Sequence, residues 1–214
     1  ADWIDENAEA DPTATTRSSL AATKAAMGFA DQYRFAVVLR FGAFYGADPN
    51  TRWLLDRVRR GKPVLVGDPG GYVSPITVED AAGAVVAALA APSGIYNVAG
   101  QPVTRDEWAR VLGAAASVNG STGAVTAAGS ETSAASMSSH AVKSHAAARS
   151  NPASIPASIP AKFVPPFSRR LLGSRAELAG RSLRISSDAF YTATGWRART
   201  DLADGFVPAA KVMH

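Results

Sequence analysis

Short apolar runs alternate with alanine-rich helical stretches through the first 116 residues, and that alternation leaves few folds open. FAVVLR at 35–40, PVLV at 63–66 and GIYNVAG at 94–100 are strand-length. They carry the β-branched and aromatic residues that suit buried strands. Around them lie TTRSSLAATKAAMGFADQ (15–32), RWLLDRVRRG (52–61), VEDAAGAVVAALAAP (78–92) and VTRDEWARVLGAAA (103–116). Each of these has helical character. Thr51 is the expected cap of the second, and Gly61 its stop. Thr104 and Glu107 have capping-box spacing at the start of the fourth. YVSPITV (72–78) is extended, and Pro75 suits it to an edge rather than a central strand. Strand following helix at intervals of about 20–30 residues predicts an α/β fold with parallel strands.

The composition then changes. Residues 117–150 are serine, alanine, glycine and threonine with almost no large apolar side chains. Such a stretch cannot bury enough area to offset chain entropy, so a flexible, disordered insertion is expected over 117–160. ASIPASIP (153–160) continues it as an extended, proline-stiffened piece. The expected division is therefore 1–116, an α/β region; 117–160, the insertion; and 161–214, a C-terminal helical segment. The last holds a helix, a short strand and a second helix begun at Ser186 or Ser187.

Several functions are excluded or disfavoured. The 214 residues are 47% hydrophobic, so a core is within reach, although much of that fraction is alanine. The net charge of +4 comes from basic residues interspersed with acids, which reads as solvated surface rather than a nucleic-acid patch. There is no cysteine, so disulfides, thiolate metal sites and thiol nucleophiles are out, and a reducing, cytoplasmic setting is expected. No apolar run approaches the roughly 18 residues of a membrane span. The acidic start ADWIDENAEADPT is unlike a signal peptide and lacks an initiator Met, so a processed or truncated chain is expected. His140, His145 and His214 lie in the insertion or at the terminus with no acid pair beside them, so no metal site is expected. No Gly-x-Ser-x-Gly elbow is present.

VVLRFGAFYG (37–46), GKPVLVGDPGGYVSPITVEDAAGAVVAAL (61–89), GIYNVAG, VTRDEW and RISSDAFYTATGW (184–196) follow in an order that resembles NAD-dependent epimerase/dehydratase proteins. These are the extended and atypical short-chain dehydrogenases/reductases. The likeness spans 35–112 and 163–207 and concerns their C-terminal portion. It implies the C-terminal part of a Rossmann-like parallel sheet plus a small mixed α/β substrate-binding lobe. It implies NAD or NADP as cofactor and a small-molecule substrate bearing a carbonyl or hydroxyl carbon. Ligands of such sheets sit beyond the carboxyl ends of strands. Arg40, Phe41, Gly42, Ala43 and Phe44 are accordingly expected on the nicotinamide side, and Tyr45, Tyr72, Val73 and Ser74 on the substrate side. The competing reading of Phe41, Phe44 and Tyr45 is core aromatics.

Three departures from that pattern matter. The glycine-rich turn that grips a dinucleotide has no place before residue 35, and Gly67, Gly70 and Gly71 read as a plain turn. The Tyr-x-x-x-Lys pair is missing its phenol, because Leu20 precedes Lys24 by four residues. Ser18, Ser19 and Lys24 remain as weak catalytic candidates. The arginine that would pair with a substrate diphosphate falls near Val73, and the usual asparagine near Ala43. Both losses argue against a nucleotide-sugar substrate and for a small, weakly charged one. Asp80 is expected to cap or pack its helix. The resulting expectation is an oxidoreductase fragment, nearly inactive alone, completed by a separate Rossmann half or by a homodimer. The alternative is a degenerate, non-catalytic binding or regulatory module.

Overall fold

A computed structural model describes residues 2–13, 16–62, 65–118, 158–159 and 180–211. It is a mixed α/β structure whose strands pair mostly in parallel. Helix α1 (Arg17–Phe29) precedes β2 (Val37–Phe41), which pairs in parallel with β7 (Gly94–Val98), Val37 opposite Gly94 and Phe41 opposite Val98. Strand β3 (Ala43–Tyr45) pairs in parallel with β6 (Pro75–Thr77). Between β2 and β3 the chain changes neighbours at Gly42. Its N–H donates to the Val98 carbonyl at 2.9 Å, and the next N–H, of Ala43, donates to Ser74 O at 2.8 Å.

The helices end where local chemistry ends them. Helix α2 (Pro49–Arg59) starts one turn earlier than the sequence reading placed it. Asp48 is its cap, accepting from the N–H groups of Asn50 and Thr51, while Pro49 at the first helical position needs no N–H partner. Thr51 is buried and turns its hydroxyl back to Asp48 and to Gly46 N–H. Thr77 caps α3 (Val78–Ala88) by accepting from Asp80 N–H at 3.1 Å. Thr104 accepts from Glu107 N–H at the start of α4 (Arg105–Val118), as its spacing predicts.

A second group of strands crosses the chain ends. β5 (Tyr72–Val73) runs antiparallel to β8 (Val103–Thr104), and β1 (Trp3–Ile4) runs parallel to β10 (Arg184–Ile185). Leu183 N–H donates to Tyr72 O, which joins the two pairs side by side. Strand β4 (Leu65–Val66) pairs with β9 (Ser158–Ile159), which with residues 117–118 at the end of α4 is the described part of the segment expected to be flexible. The remainder of that insertion, and the helix expected before β10, lie outside the described residues. Helix α5 (Asp188–Thr194) begins where Ser187 predicts and stops at Gly195, which has φ +70°. A further helix, α6 (Leu202–Lys211), was not foreseen.

Two clusters hold these elements. Tyr45, Leu55, Trp108, Leu112, Phe206, Ala209 and neighbouring side chains join α2, α4, α6 and the end of β3. Ile76, Ala81, Ala84, Val98 and Phe190 join α3, β6, β7 and α5. Helix α1 buries no residue. Among the described residues no helix is long and apolar enough to cross a membrane.

Candidate functional site

Two hollows flank the β2–β7 pair. The larger is a groove of about 780 Å³ between α1 and β2. Arg40 and Phe41 line one wall; Ser19, Leu20 and Thr23 line the other, with Asp11 at the rim. The smaller is a cavity of about 110 Å³ beyond the carboxyl end of β7, between the 99–102 loop and the start of α5. Trp3, Gln101, Ser186, Asp188, Tyr191 and Arg197 are among its walls. The Arg197 guanidinium lies 3.8 Å from the Tyr191 ring centroid.

The structure sorts the residues expected at a site into three groups. Arg40 and Phe41 share the groove with Ser19, whereas Ser18 and Lys24 are exposed and do not line it. Leu20, the residue four positions before Lys24, lines this groove, so the wall there is aliphatic. Gly42 and Ser74 form a structural junction. A Cβ on Gly42 would stand 2.2 Å from the Ser74 carbonyl oxygen. The close neighbour that this glycine admits is the chain's own backbone. The buried Ser74 hydroxyl donates to Leu183 O and accepts from Ile185 N–H, both at 2.9 Å. Ala43 and Phe44 are exposed, and Phe44 rests against Phe41 with ring centroids 5.2 Å apart.

Tyr45 belongs to the core. It is 3% exposed and packs on Trp108 and Phe206 at centroid distances of 5.2 and 5.0 Å. Burial, together with the charges of Asp80, Asp201, Asp204 and Glu79, pushes its phenol up to about 12. It stays protonated at neutral pH. Asp80 is a clamp. Its carboxylate accepts from Arg199 N–H and Thr200 N–H across the chain, and from the Thr77 hydroxyl. Burial alone would raise its pKa, but these hydrogen bonds outweigh it and hold the carboxyl below the usual aspartate range.

Two arginines escaped the sequence reading. Arg105 is 1% exposed and lies under the GDPGG turn, donating to the carbonyls of Asp68 and Arg181. Its guanidinium pKa is lowered by burial and supported by the Asp68 charge. A Cβ on Gly71 would stand 2.1 Å from its Nη1, and Gly67 has φ +117°. The turn wraps a side chain of its own protein, which explains its glycines without a phosphate. Arg184 sits beside Tyr72, stacked between that ring and Trp3. Alternation in SLRIS was the available signal: Arg184 points opposite its apolar neighbours Leu183 and Ile185. Val73 is half-buried between Tyr72 and Ser74.

No family model and no curated protein sequence matches the chain. Solved structures do. WbmG of Bordetella bronchiseptica, in complex with NAD and UDP, aligns with a TM-score of 0.56 at 16% identity. The alignment covers 97% of this chain and 53% of that one. UDP-glucuronic acid 4-epimerase of Bacillus cereus, in complex with NAD, gives 0.58 at 13% identity, over 99% of this chain and 56% of its own. dTDP-glucose 4,6-dehydratase of Bacillus anthracis, in complex with NAD, gives 0.60 at 13%, over 99% and 55%. The chain has the fold of part of these Rossmann-type epimerase and dehydratase structures, and it spans about half their length.

Proposed function

We infer that this chain is the substrate-lobe half of an NAD(P)-dependent oxidoreductase of epimerase/dehydratase type. Joined to a cofactor-binding half, it would move a hydride between nicotinamide and a carbonyl or hydroxyl carbon of a small substrate. The observation that supports this reading is the alignment of nearly the whole chain with about half of several enzymes crystallised with NAD. The residues here do not fit the dinucleotide by themselves. Its diphosphate calls for backbone N–H groups at a glycine turn opening a helix. The glycine turn of this chain is occupied by Arg105. The grip on the cofactor is therefore assigned to other polypeptide, either continuous with this chain or separate from it.

What this half contributes is the groove wall. Arg40 supplies a fixed positive charge, Phe41 and Leu20 exclude water, and Ser19 offers a hydroxyl. A serine without an adjacent base is a poor proton donor at neutral pH. Leu20 in that wall favours a second reading, a non-catalytic binding module with the same architecture.

Nicotinamide fluorescence distinguishes the two. NADH and NADPH titrated into the chain alone are expected to give no saturable change. Saturable enhancement should follow when a Rossmann half is supplied, in trans or as the adjoining reading frame, and turnover of an added alcohol or carbonyl compound should accompany it. Cofactor binding without turnover selects the binding module. Tight binding by the 214-residue chain alone overturns the assignment of the grip to other polypeptide.

A further inference from the structure

Trp3, Arg184 and Tyr72 stand on three neighbouring strands. Trp3 is opposite Arg184 in the β1–β10 pair, and the Leu183–Tyr72 backbone hydrogen bond aligns β10 with β5. The Arg184 guanidinium carbon lies 4.2 Å from the Trp3 ring centroid and 5.1 Å from that of Tyr72. Both rings attract a cation through their faces, yet neither accepts a hydrogen bond in the guanidinium plane. The in-plane donors are left over. Arg184 Nε is buried and has no hydrogen-bond partner among the described residues. Nor does any carboxylate among them form an ion pair with this arginine, in contrast to Arg34, Arg60 and Arg181. Several acids on the adjoining segments are engaged elsewhere, Asp5 among them through the N–H groups of Asn7 and Ala8. Glu6 accepts from Asn97 N–H, Asp188 from the Ser186 hydroxyl, and Asp11 pairs with Arg181.

A guanidinium cannot shed its proton at any ordinary pH. Holding one half-buried without a counter-charge is unfavourable, and a planar fork already oriented by stacking matches an oxyanion bidentately. We propose that Arg184, clamped between Trp3 and Tyr72, binds the oxyanion of a small-molecule ligand, either a carboxylate or a phosphate group. Trp3 also borders the 110 Å³ cavity, whose walls include Gln101, Ser186 and Arg197 and the Ile185 that follows Arg184, though not Arg184 itself. The site stands whether or not the chain takes part in hydride transfer. It runs against the expectation of a weakly charged substrate, which rested on the lack of an arginine near Val73 and of an asparagine near Ala43.

The test follows the arginine Nε–H and tryptophan indole signals by ¹⁵N NMR while acetate or inorganic phosphate is added, with chloride at matched ionic strength as reference. Arg184 Nε–H and Trp3 indole should move saturably with one oxyanion and not with chloride; whichever probe acts names the group. Arg184→Gln should abolish the Trp3 response, and Arg184→Lys should weaken it by at least about tenfold, because charge remains while the fork is lost. If Arg184→Gln does not fold, the wild-type Nε–H response decides. A signal that stays still, one that moves equally with chloride, or a Trp3 response that survives in Arg184→Gln overturns the proposal.

Discussion

At the scale of single residues, Gly42 is the position with the least freedom. Its missing side chain lets β2 pass from one neighbour to another, with the Ser74 carbonyl where a Cβ would be. The obstacle is backbone and cannot swing aside. Gly42→Ala should therefore destabilise the fold by about 1–3 kcal/mol, read as a lower urea midpoint at unchanged slope. Tyr45 poses a different question, since its ring and its hydroxyl have unequal importance. The hydroxyl reaches only a distant carbonyl, Asp201 O at 3.5 Å, whereas the ring packs on two other aromatics. Tyr45→Phe should cost less than about 1 kcal/mol and Tyr45→Ala about 3–5. Its pH dependence has a definite sign. The phenol is raised from 10.0 to about 12 in the folded state, so its contribution is complete below pH 10 and is lost as pH rises through 12. In a tyrosinate absorbance titration of the native protein, Tyr45 should ionise after the tyrosines that solvent reaches.

At the scale of elements, caps and clamps outside the apolar pattern decide where helices begin and what they hold. Asp48 secures two N–H groups of α2, so Asp48→Ala should cost about 1 kcal/mol, with the loss of helical signal confined to that helix. The sequence reading chose Thr51, a residue of similar capping chemistry three positions further along the chain. Asp80 ties the first turn of α3 to the 199–200 backbone. Its folded pKa lies below the ordinary 3.8, so the stability it adds is complete above that value and falls away as pH drops through the folded one. Asp80→Asn should flatten the acid limb of the stability profile. Helix α6 carries Pro208 inside it. Its apolar stripe of Phe206, Ala209 and Ala210 has no strength except against Trp108 and Leu55, which come from elsewhere in the chain.

At the scale of the whole molecule, the parallel β2–β7 pair has no further strand beside β2 among the described residues. Every residue of β2 is only half-buried, and the α1 groove runs along its length. An unpaired edge leaves backbone donors to solvent. Hydrogen exchange should find the β2 amides that face the groove markedly faster than those that face β7. Supplying a cofactor-binding half should slow the first set and leave the second unchanged.

Residues 37–41 and 94–98 declare themselves as strands, and 78–88 and 105–118 as helices, because periodicity and capping are local properties that depend on neighbours within a few positions. The parallel α/β class follows from their order. The destination of each side chain is not local. Tyr45 went to the core, Gly42 to a backbone crossing and Arg105 beneath the glycine turn at 67–71, through partners 30 or more positions away. Arg184 could not be placed beside Tyr72 from spacing, since more than a hundred residues separate them. Tertiary structure alone set those pairs together, because strand pairing and core packing act between elements distant in the chain.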